Sequence, residues 1–133
     1  KRDSRERLTN SNFRAILNFG HTIGHSLETF YNYNSKLNHG EAVSIGMLIE
    51  ATISNKLGYL SDLNLNKIRA HFKKAKLKIS DKNIKNPNII KIMQKDKKNL
   101  NGMVNIILLK NVGKSFFAQN INVNLIKKII KNI

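Results

Sequence analysis

The spacing of apolar residues sets the first limit on this fold: it is helical from Phe13 to Met93 and strand-like from Met103 to Gln119. Phe13, Ile16, Leu17, Ile23, Leu27 and Phe30 mark a helix over about Asn12 to Tyr31. The polar run Asn32-Tyr33-Asn34-Ser35-Lys36 separates it from a second helix, about Gly40 to Leu57, with Gly58 in the usual position just past a helix end. Ser61 or Asp62 caps a third helix carrying Leu65, Ile68, Phe72 and Ala75. Pro87 suits the first turn of a short fourth through Ile90 and Met93. Then Met103 to Leu109 and Lys114 to Gln119 flank Lys110-Asn111-Val112-Gly113 as a β-hairpin. Asn122 caps a last helix over Leu125, Ile126, Ile129 and Ile130. A mainly α domain with one small hairpin is expected.

At 133 residues, 41% of them apolar, the chain has the material for one modest core. It has no cysteine, which excludes disulfides, Cys-type zinc sites and thiol nucleophiles together. No apolar run approaches the roughly 18 residues of a membrane span, so no membrane partner is expected. The sequence opens inside the charged stretch Lys1-Arg2-Asp3-Ser4-Arg5-Glu6-Arg7 without an initiator Met, so a piece of a longer chain is expected.

Net charge is +16 and unevenly placed. Residues 1–60 carry seven Lys/Arg against five Asp/Glu, whereas residues 61–133 carry seventeen against three. A nucleic-acid footprint is one reading of the basic half. Against it, most of the lysines fall on polar helix faces, Arg69 is the single arginine there, and Asn, Lys and Ile are heavily used throughout. No nucleic-acid partner is expected.

One stretch departs from a purely structural helix. Asn18-Phe19-Gly20-His21-Thr22-Ile23-Gly24-His25-Ser26-Leu27-Glu28 puts two glycines into a helical pattern, each costing about 1 kcal/mol against Ala. Such glycines are kept where a side chain would block a ligand or a neighbouring backbone. His21, His25 and Glu28 share one helical face, and Arg14 and Asn18 extend it one turn at a time toward the N-terminus. Along a continuous helix Arg14 then lies roughly 10 Å from His21 at 1.5 Å per residue. His39 opens the next helix, so three of four histidines can converge across a helix–loop–helix hairpin. Imidazoles suit zinc at about 2.0–2.1 Å, and a catalytic zinc takes three protein ligands with one position open. Spacing leaves open which two histidines bind metal. Arg14, Asn18 and the remaining histidine suit a carboxylate or phosphate, and Asp96-Lys97-Lys98 can add positive charge. His71, among lysines, reads as surface.

Taken together, Arg14-x-x-Leu17-Asn18-Phe19-Gly20-His21-Thr22-Ile23-Gly24-His25-Ser26-Leu27-Glu28, then His39-Gly40-Glu41-Ala42-Val43-Ser44-Ile45-Gly46-Met47, Ser54 and Gly58 resemble the 3-dehydroquinate synthase family. Met93-x-x-Asp96-Lys97-Lys98-x-x-x-Gly102 and the hairpin around Val112-Gly113 match its later part in order and spacing. One departure stands out: about four extra residues, Arg7 through Asn10, separate Asp3-Ser4-Arg5-Glu6 from the helix that carries Arg14.

The resemblance implies that residues 1–133 are part of a largely helical C-terminal domain, the NAD-binding domain lying outside this chain. It makes His21 and His39 two ligands of a zinc (or cobalt) ion whose third ligand, a Glu, lies upstream. Glu28 and Glu41 are read as supporting or helix-pairing groups. Arg14 grips a substrate carboxylate, while Asn18, His25 and Lys97 surround the phosphate and reacting ring; Lys98 is the alternative in a shifted register. His25 and Lys97 are the catalytic pair. The implied reaction is NAD-dependent conversion of 3-deoxy-D-arabino-heptulosonate 7-phosphate, a carboxylate-phosphate anion, to 3-dehydroquinate and phosphate by a cytoplasmic homodimer. The alternatives are a sibling sugar-phosphate cyclase, which has no carboxylate for Arg14 to hold, and a basic nucleic-acid-binding module.

Overall fold

A computed structural model describes residues 19–32, 37–96, 102–111 and 114–133. In chain order these form α1 (His21–Phe30), α2 (His39–Lys56), α3 (Asp62–Lys74), α4 (Pro87–Asp96), β1 (Met103–Asn111), β2 (Lys114–Asn122) and α5 (Val123–Lys131). Arg14, Asn18, Lys97 and Lys98 lie outside the described residues.

The caps read from the sequence are present. The Ser61 hydroxyl accepts from Asn64 N at 3.1 Å at the head of α3, and Asn122 Oδ1 accepts from Asn124 N at 2.8 Å at the head of α5. Gly58 follows α2 at φ 90°. Asn38 and Glu41 close a reciprocal capping box, Asn38 Oδ1 accepting from Glu41 N at 2.8 Å and Glu41 Oε1 from Asn38 N at 3.0 Å. Glu41 is therefore spent on starting α2.

α2 is the centre of the body. It runs apolar on nearly every side, as a helix must when it is covered all round, and it packs against α1, α3, α5 and β1. The main core joins Ile23 and Leu27 of α1, Ile45, Ile49 and Ile53 of α2, Ile89 and Met93 of α4, Val104, Ile106 and Leu108 of β1, and Ile126 of α5. A smaller cluster of Ala51, Leu60, Leu65 and Leu109 seats α3. On α5, Leu125 points away from the core while Ile126, Ile129 and Ile130 enter it.

β1 and β2 pair antiparallel, with Val104 opposite Ile121 and Ile106 opposite Ala118, and the register shifts between those two pairs. β1 runs on to Asn111, two residues further into the turn region than the sequence pattern indicates, and β2 starts at Lys114 as expected but continues past Gln119 to Asn122. Ser54, fully buried, fastens this hairpin to α2: its hydroxyl donates to Glu50 O at 2.7 Å and accepts from Leu109 N at 2.8 Å. Ser54→Ala leaves a buried N–H without its partner, so thermal unfolding should show a loss of about 1–3 kcal/mol. No helix among the described residues is long and apolar enough to cross a membrane.

Among the described residues, the first helix departs most from the sequence pattern. The sequence pattern places it over about Asn12 to Tyr31, but Gly20 stands left-handed at φ 87° immediately before His21. A helix cannot run through that residue. The chain turns there, and α1 begins at His21; the expected portion from Asn12 to Asn18 lies outside the described residues.

Candidate metal and substrate site

Two helices, α1 and α2, carry the site, and glycines set how closely they meet. A Cβ on Gly24 would stand 2.9 Å from Ala42 O, and one on Gly46 would overlap Gly20 O and stand 2.8 Å from Gly24 N. Both helices therefore touch backbone to backbone. The glycines within the histidine motif serve the neighbouring backbone, the second of the two purposes such residues can have.

That close crossing brings His21 and His39 together. Their ring centroids are 5.7 Å apart, with the planes tilted by 54°. Two imidazoles on one tetrahedral zinc, at a Zn–N length of about 2.1 Å, put their centroids about 5 Å apart. Glu28, buried one helix away, has its Oε2 3.0 Å from His39 Nδ1. A carboxylate at that nitrogen holds the Nδ1–H tautomer and turns Nε2 outward as a metal ligand. His39 itself is solvent-facing, with 64% of its side chain exposed.

His21 Nδ1 is buried and has no hydrogen-bond partner among the described residues. A buried imidazole nitrogen left without a partner is costly. Two imidazoles with centroids 5.7 Å apart, one of them with a carboxylate at its Nδ1, fit zinc as part of a donor set. They do not complete it: among the described residues no third His, Cys, Asp or Glu joins them.

His25 lies exposed on α1, one turn after His21. His71 is exposed on α3, away from the pair. Because Gly20 breaks the helical path, the roughly 10 Å axial separation expected between Arg14 and His21 has no continuous helix to rest on.

One residue in the site was absent from the sequence reading. Glu50 of α2 is completely buried, its Oε1 accepting from Gly20 N at 2.9 Å and its Oε2 from Ile23 N at 3.2 Å. The signal was available: Glu50 is the lone charge in the largely apolar run Ile45-Gly46-Met47-Leu48-Ile49-Glu50-Ala51-Thr52-Ile53, and a buried carboxylate needs partners.

The family model of the 3-dehydroquinate synthase C-terminal domain matches residues 2–99. A 3-dehydroquinate synthase of Acinetobacter baumannii is 38% identical over 117 residues, covering 88% of this chain and 32% of the relative. One from Thermodesulfovibrio yellowstonii is 39% identical over 130 residues, covering 97% of this chain and 35% of the relative. The chain thus spans about a third of the length of these curated relatives. Among solved structures, a 2-epi-5-epi-valiolone synthase of Streptomyces hygroscopicus subsp. jinggangensis, with NAD+ and Zn2+ bound, aligns with a TM-score of 0.72 at 21% identity, over 86% of this chain and 31% of that one.

Proposed function

The chain belongs to the 3-dehydroquinate synthase family through its C-terminal domain, and on that premise we propose that it supplies part of the metal and substrate site of a 3-dehydroquinate synthase. The reaction is conversion of 3-deoxy-D-arabino-heptulosonate 7-phosphate to 3-dehydroquinate with release of phosphate. The whole protein is a cytoplasmic homodimer whose NAD-binding domain lies outside this chain.

His21 and His39 hold a zinc or cobalt ion together with a Glu from outside the chain. Zinc bound there supplies Lewis-acid polarisation of the reacting oxygen, and NAD supplies the hydride chemistry. The protein's own residues bind and orient. Glu28 keeps His39 in one tautomer, so its Nε2 remains available. His25, exposed one turn from His21, donates to or accepts from substrate oxygen and serves with Lys97 (or Lys98) in proton transfer. Asn18 and Lys97 contact the phosphate, and Arg14 clamps the carboxylate as a planar fork.

The observation that carries this reading is the His21–His39 pair at 5.7 Å with Glu28 on His39 Nδ1. The structural likeness to a valiolone synthase favours a second reading, a sibling cyclase acting on a sugar phosphate without a carboxylate. Arg14 separates the two. In the full-length protein, Arg14→Lys should lower kcat/KM for the heptulosonate phosphate about 30-fold, equivalent to about 2 kcal/mol, with zinc content unchanged. A kcat/KM that stays at the parent value rejects the carboxylate clamp, and turnover of a carboxylate-free sugar phosphate by the parent enzyme establishes the sibling reading.

A further inference from the structure

We propose that Glu50 is a positioning residue for the histidine pair: it holds the first turn of α1, and with it His21, in register against the helix that carries His39. The inference rests on the metal reading above. The first N–H groups of any helix have no partner within it. α1 lacks a side-chain cap of its own, since Gly20 stands at its head in a left-handed conformation. Glu50 supplies what is missing from the neighbouring helix. Its two carboxylate oxygens accept from Gly20 N and Ile23 N, the residues on either side of His21 and Thr22.

Such bonds are charge-assisted, and the negative group sits at the positive end of the helix dipole. The side chain is fully buried, so water does not compete for it. α2 therefore grips α1 at two places: through Glu50 at its first turn, and through His39 on Glu28 near its last. Between them Gly46 meets Gly20 and Gly24 backbone to backbone. A small rotation of α1 about its axis would swing the His21 ring away from His39, and the Glu50 carboxylate opposes that rotation at the residues nearest the ring. This role is distinct from core packing, because an apolar residue of equal volume would fill the space without fixing the turn.

The test uses the full-length protein and two probes, zinc alone and cobalt(II) alone. Glu50→Gln keeps the shape, yet its amide NH2 faces an N–H where an oxygen accepted. Its zinc Kd should rise about tenfold, the scale on which groups supporting metal ligands act. The visible absorption of the cobalt-substituted protein should change in position or intensity while unfolding stays cooperative. A zinc Kd within twofold of the parent together with an unchanged cobalt spectrum overturns the proposal. Should Glu50→Gln fail to fold, Glu50→Asp keeps the charge at shorter reach, and a folded Asp variant with parental zinc affinity overturns it equally. His21→Ala, measured alongside, keeps the two ideas apart. If that variant still binds zinc as the parent does, the metal reading itself falls and takes this inference with it. If it loses zinc while Glu50→Gln does not, only the positioning role falls.

Discussion

Gly46→Ala should cost at least about 3 kcal/mol of stability, the upper end of what overpacking a core costs. The sign makes this a sharp test. Helix propensity alone favours alanine over glycine by about 1 kcal/mol inside a helix, and Gly46 lies in the middle of α2. Yet its new Cβ would overlap Gly20 O and stand 2.8 Å from Gly24 N. Those neighbours are backbone, which cannot swing aside as a long side chain would. The two helices have to part, and Ile23, Leu27, Ile45 and Ile49, all buried where they meet, lose packing together. Gly40→Ala is the internal control. It lies in the same helix, but its Cβ would meet only Asn38 Oδ1, at 3.5 Å. There propensity should prevail, and stability should hold or rise slightly. Equal effects of the two substitutions in denaturant melts would show that the helix crossing does not depend on Gly46.

The contrast between these glycines explains how much of the fold was legible in advance. Local signals sufficed where local chemistry decides: Ser61 and Asn122 as caps, Gly58 as a helix end, Pro87 in a first turn, and the change of period at Met103. They failed at the first helix because apolar spacing continues in phase across Gly20 and does not register a single left-handed residue. The histidine motif was visible as an oddity, glycines where a helix does not want them. Whether those glycines make room for a ligand or for another helix depends on which backbone lies opposite, and that is a tertiary fact. Glu50 was missed for a similar reason. A buried charge is intelligible only once its partners, Gly20 N and Ile23 N, thirty and twenty-seven residues away, are in place.

His39→Ala should abolish stoichiometric zinc binding in the full-length protein while leaving it folded, with a modest loss of stability. The separation of the two effects is the point. The His39 side chain is largely exposed, with 64% of its surface free, so its removal opens no cavity, and the cost to folding is that of leaving the buried Glu28 carboxylate without its partner, about 1–3 kcal/mol. A metal site with one of its imidazoles gone, by contrast, loses most of its affinity, because a catalytic zinc has three protein ligands to begin with. Glu28→Gln should fall between. The ring of His39 stays, but the amide can present its NH2 to Nδ1 and favour the wrong tautomer, so zinc affinity should drop about 10- to 100-fold. Metal analysis after dialysis against a graded series of chelator concentrations resolves the order parent, Glu28→Gln, His39→Ala. If Glu28→Gln binds as tightly as the parent, the carboxylate does not orient the ligand. If His39→Ala retains zinc, the 5.7 Å approach of the two rings is helix packing alone, and the metal must be sought elsewhere in the protein.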